Sequence, residues 1–144
     1  MNTTPSDDPD WERLNQQRND YAAARKWSRY RNTTLRMAQL RARQGRLEDA
    51  LVTYLELCYI DVNGAQNPGA AWGVPLDDFD PERAFGLGPI IVTRVQSIAR
   101  ELGYDKARME VEFLAMALVL HRSLTLPVTP EDAWHALRLE LYRK

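Results

Sequence analysis

The amino-acid sequence predicts an all-α fold: a compact bundle of about five main helices and one short one, built from two helical hairpins plus a C-terminal helix. Three observations carry this. No proline or glycine interrupts residues 11 to 44, so a helix of about 34 residues, on the order of 50 Å, is permitted there. That pattern stops at Gly45 and restarts at once, with Leu47, Ala50, Leu51, Tyr54, Leu55 and Cys58 at three- and four-residue steps. Further along, Asp80-Pro81, Pro89, Asp105 and Thr129-Pro130 each place a cap or an N1 proline ahead of a helical run.

In chain order, residues 1–8 are polar, acidic and aperiodic, which predicts a disordered tail, and Asp8 or Asp10 can cap a helix beginning near Pro9. Residues 9–144 then form one helical domain, the size of a single core. The first helix reads through to Gln44, with Asn32-Thr33-Thr34 as the place for a bend or break. On a helical wheel Trp27, Tyr30, Thr34, Met37 and Ala38 share the inward face, while Trp11, Leu14 and Tyr21 fall off it. These three therefore need another neighbour, the C-terminal helix or a second copy of the chain, and the sequence predicts a homodimer through them.

The second helix is expected to end near Ile60. A long loop follows over residues 63–80, with Trp72 in it as a core pin or a binding anchor. Asp80-Pro81-Glu82 starts the short helix. Pro89 opens a helix to Leu102 with Ile91, Val95 and Ile98 inward, and Gly103 closes it. The next helix runs from Asp105 to about Ser123. Its stretch Phe113–Leu120 is apolar on all sides, which predicts the buried axis of the fold in Phe113, Leu114, Ala117, Leu118 and Leu120. Ala133, Trp134, Leu137 and Leu141 give the last helix its inward face.

Around the central turn Ala38, Gly45, Leu47, Ala50, Tyr54 and Leu57 stand at the offsets of a tetratricopeptide unit, and residues 32–63 resemble one such helical hairpin. The likeness departs from the family at Thr34, Met37, Arg41 and Val62, and its echo at Ala99-Gly103-Tyr104-Ala107 is not in repeat register. The resemblance implies a protein-binding module.

Composition excludes little: 44% hydrophobic, 27% charged and a net charge of −1 describe an ordinary globule. The charges are segregated, however. Residues 11–46 hold ten Arg or Lys against Glu12 and Asp20, and residues 47–88 hold eight acids against Arg83. Internal pairing between the two arms is the simplest explanation. Arg18, Arg25, Arg29, Arg36 and Arg43 recur at helical spacing opposite the inward face, a cationic stripe that either faces solvent or meets an acidic partner.

Chemistry is sparse. His121 and His135 are the only histidines, and no zinc, redox or nucleophile-elbow motif occurs, so neither a metal, a cofactor nor catalysis is expected. Asp77-Asp78-Phe79-Asp80 lacks the glycine and distal glutamate of a calcium loop. His121 reads as a partly buried, hydrogen-bonded residue and Cys58 as a small core residue. The lone cysteine and the absence of a basic, apolar N-terminal leader predict a cytoplasmic protein, and no apolar run reaches the ~20 residues a membrane span needs. The expected function is protein–protein interaction through Arg18, Arg25, Arg29, Arg36, Arg43 and Trp72. Nucleic-acid or polyanion binding by the same stripe is the alternative, and a small-molecule enzyme the second alternative.

Overall fold

Three of the helices begin where a short side chain or proline supplies what the first turn lacks. In the computed structural model, which describes residues 8–66 and 89–142, Asp8 accepts from the Trp11 amide ahead of α1 (Pro9–Ala23). Asp105 accepts from Arg108 ahead of α5 (Lys106–Leu124), and Thr129 from Asp132 ahead of α6 (Pro130–Leu141). Between them lie α2 (Trp27–Arg43), α3 (Leu47–Gln66) and α4 (Pro89–Leu102), giving six helices among the described residues. The expected tail, the loop beyond residue 66, Trp72 and the short helix at Asp80 lie outside those residues.

The all-α bundle is the predicted class, but its first arm is two helices. The chain reverses at Ala24-Arg25-Lys26, so α1 packs on α2 and α2 packs on α3. The triplet Asn32-Thr33-Thr34 continues α2 instead of breaking it. Thr34 donates to the Tyr30 carbonyl at 2.9 Å, which satisfies its hydroxyl within the helix, and both threonines are buried. The α1–α2 reversal lets both apolar faces, out of phase on one continuous wheel, be covered. Leu14 is buried, Tyr21 packs partly against the core, and Trp11 lies under the Arg41 guanidinium, 3.7 Å from the ring centre. The three residues expected to need another neighbour, the C-terminal helix or a second copy, thus have contacts within the chain, Trp11 and Leu14 beside α2.

The same turn is used three times. Arg25, Gly45 and Gly103 take the left-handed conformation (φ 57°, 74° and 75°). After each, the next amide reaches back five residues: Lys26 to Tyr21, Arg46 to Arg41, Tyr104 to Ala99, at 2.8 to 3.0 Å. This is the Schellman closure, in which glycine suits the left-handed site.

Helix α3 is the axis. It contacts α2, α4, α5 and α6, and Ala50, Leu51, Tyr54, Leu55, Leu57, Cys58, Tyr59, Ile60 and Val62 are all buried. It also runs on past Ile60, where the sequence predicts its end, to Gln66. The expected axis, α5, is instead two-sided. Phe113, Ala117 and Leu120 are buried, with Phe113 edge-on to Tyr59 and 5.7 Å from Trp134, but Leu114 is only half-buried. Leu118 is 44% and Val119 63% exposed, because no described helix packs on the outer side of α5. Helices α4 and α6 present the predicted faces: Ile91, Val95 and Ile98, and Ala133, Trp134, Leu137 and Leu141.

A backbone test follows from the repeated turn. A Cβ at Gly45 would meet nothing within 4 Å, so substitution there strains only the backbone. Gly45→Ala should cost about 1 kcal/mol, whereas Arg25→Gly should gain about 0.5–1 kcal/mol by removing a non-glycine residue from a left-handed site. Urea titration of both variants checks the opposite signs.

Candidate functional site

Helix α2 carries no acidic residue, and its arginines divide by face. Arg31 and Arg41 point inward. Arg31 makes a forked pair with Asp61 of α3, Nε–Oδ1 2.6 Å and Nη2–Oδ2 2.9 Å, with the carboxylate almost wholly buried. Arg41, buried, donates to Gln44 at 3.0 Å and to Asp8 at 3.3 Å while covering Trp11. Burial pulls the Arg41 pKa down and neighbouring Arg46 adds to this, while Asp49, Asp8 and Glu12 oppose it. The position that departs from an aromatic in the tetratricopeptide pattern thus covers an aromatic with its cation.

Arg18 does not join the stripe. It sits on α1, and its guanidinium turns into the protein to pair with Glu56 of α3, with Tyr30 beneath it at 5.4 Å. Burial works against its charge, but Glu56 and Tyr30 outweigh that and hold its pKa above the ordinary arginine value. Burial likewise raises the Tyr30 pKa. Arg25 leaves the stripe for a different reason: it occupies the left-handed turn and belongs to no helix.

What remains of the stripe is Arg29, Arg36 and Arg43, all exposed, seven residues or about 10.5 Å apart along α2. None of the three forms an ion pair with a described residue. Beside them the antiparallel α1 brings up Arg13, held loosely at 3.4 Å from the exposed Asp10. Arg13, Arg36 and Arg43 border a groove of about 390 Å³ whose lining also holds Asp10, Gln17, Gln39, Leu14 and Leu40, while Arg29 lies outside it. A guanidinium presents a planar fork of N–H donors and a glutamine amide adds two more, so donors outnumber the single carboxylate, Asp10, in the lining. Arg13 was absent from the predicted stripe. Its place follows once α1 is antiparallel to α2, since a residue near the start of α1 must then lie near the end of α2.

Groups capable of chemistry are engaged elsewhere. Tyr59 donates to the Val128 carbonyl at 2.6 Å and meets His121 Nδ1 at 3.2 Å, while Asn63 accepts from the Val128 amide and donates to the Tyr59 carbonyl, both at 2.9 Å. This cluster ties the α5–α6 connection to α3, with His121 half-buried and hydrogen-bonded as the sequence predicts. Cys58 is buried, and burial pushes its thiol pKa far up, against thiolate formation. Among the described residues no three His, Cys, Asp or Glu side chains gather as metal ligands, and no helix is long and apolar enough to cross a membrane.

Compared with known proteins, the chain matches no protein-family model, no curated protein and no solved structure. The class defined by fold and surface is therefore an all-α helical bundle with an arginine ridge along one helix.

Asp8, the cap of α1, offers a test. Its carboxyl is held below the ordinary carboxylate range, first by the Gln44 amide at 2.6 Å, then by the Trp11 N–H, with Arg41 contributing. Asp8→Ala should destabilise the protein by about 1–2 kcal/mol at neutral pH, the scale of a lost N-cap. Because the folded pKa is depressed, this stabilisation is present above the unfolded value of about 3.9 and is lost as pH falls through the folded value. Urea midpoints of the protein and the variant should therefore converge below about pH 4.

Proposed function

We propose that the protein is a non-catalytic protein–protein interaction module whose arginine ridge receives an acidic segment of a partner. The observation that carries this is the separation of the arginines on α2. Arg31 and Arg41 are spent on internal carboxylates, whereas Arg29, Arg36 and Arg43 stand exposed in a line. A mixed groove wall favours a protein occupant over a nucleic acid. Leu14, Leu40 and the two glutamines offer apolar and amide contact between the cations, and Asp10 at the rim opposes a continuous phosphate track. The residues of the tetratricopeptide likeness fall on the α2–α3 hairpin. Ala38 and Ala50 are fully buried, which permits close helix approach, and Gly45 closes the turn between them.

Fluorescence anisotropy with a labelled glutamate- and aspartate-rich peptide and a labelled oligonucleotide of equal charge tests the reading. The peptide should bind more tightly at physiological salt, and Arg29→Gln/Arg36→Gln/Arg43→Gln should weaken it by about tenfold or more, each exposed pair contributing up to about 1 kcal/mol. Glutamine keeps helix propensity, so circular dichroism should be unchanged. Tighter oligonucleotide binding, with a logarithmic salt slope falling by ~1 for each arginine removed, would instead make this a polyanion-binding protein.

A further inference from the structure

The outer face of α5 is apolar where a solvent-facing helix surface is ordinarily charged. Val111 and Val119 are 62% and 63% exposed and Leu118 44%. With the exposed Ala107 and Ala115 they follow one another at i, i+4, i+8, i+11 and i+12, a stripe diametrically opposite Met109, Phe113, Met116 and Leu120 on the core side. No described helix packs on it.

The charges around this stripe say what covers it. Glu110 and Glu112 flank its N-terminal half, one on each side, and two arginines stand on the stripe itself, Arg108 near its N-terminal end and Arg122 at the C-terminal end. Arg108 engages one oxygen of Glu112 at 2.9 Å, and neither Glu110 nor Arg122 has an ion-pair partner among the described residues. A parallel copy would set Arg122 against Arg122. An antiparallel copy, in a two-fold register that pairs positions summing to 233, sets Arg122 of each copy between Glu110 and Glu112 of the other. The same register places each Ala115 opposite Leu118 of the other copy, small against large, and opposes the two helix dipoles. One alignment thus sets Ala115 against Leu118 and Arg122 near Glu110 and Glu112 on both sides of the two-fold axis.

We propose that the outer face of α5 is a homodimer surface formed by antiparallel α5–α5 packing, with Arg122 of each copy seated between Glu110 and Glu112 of the other. It uses none of the ridge residues and stands or falls independently of the binding reading above.

Sedimentation velocity on the full chain tests it. The protein should be a dimer at high micromolar concentration. Leu118→Glu places a charge on an already exposed position, so the thermal melt of the monomer should be kept while the dimer dissociates. Arg122→Glu should raise the dimer Kd at least about tenfold, and adding Glu110→Arg to that variant should restore association. A chain that is monomeric at that concentration overturns the proposal, as does a dimer indifferent to Leu118→Glu or one that Glu110→Arg fails to restore.

Discussion

Helix α3 packs against four other helices, so the polar groups on its buried length have to find their partners inside the protein. That constraint organises the first half of the chain. Glu56 is met by Arg18 from α1, Asp61 by the fork of Arg31 from α2, and Asn63 by the Val128 backbone and the Tyr59 carbonyl. Thr53 donates to the carbonyl one turn back. An unpaired charge in such a setting would cost several kcal/mol, so the arginines select which face of α1 and α2 turns inward as firmly as the apolar residues do.

The fold class, most helix starts and the inward faces of α4 and α6 were legible because they depend on local signals: a cap, an N1 proline, a three-to-four spacing. The central helix was not. Periodicity ranks the uninterrupted apolar run of α5 above the α3 sequence, which contains Glu56, Asp61 and Asn63 and therefore looks amphipathic. Burial of the two carboxylates depends on arginines 30 and 38 residues away in sequence, which no local window contains. The segregation of charge between the two arms did contain the information, and the observed pairs Arg18–Glu56 and Arg31–Asp61 are its structural content.

The site was legible in part for the same reason. Arg29, Arg36 and Arg43 hold their predicted place because all three lie on one helix. Arg18 and Arg25 belong to the stripe only if the helix is continuous, and the reversal at Ala24-Arg25-Lys26 sends one inward and puts the other into the turn. The clue to that reversal was Trp11, Leu14 and Tyr21 lying out of phase with the face of α2. One straight helix cannot bury both faces against the same neighbour, whereas a hairpin can.

The charged interior thus fixes the geometry of α1, α2 and α3, and the remaining arginines of α2 are exposed as a consequence. A double-mutant cycle on Arg31→Met and Asp61→Leu, read by urea denaturation at neutral pH, tests this most directly. The account predicts that Arg31→Met alone costs about 3 kcal/mol by removing the fork that compensates a buried carboxylate, and that the double variant costs at least about 2 kcal/mol less than the sum of the singles. Strictly additive effects would show that the pair merely accompanies the packing of α2 on α3 and does not determine it.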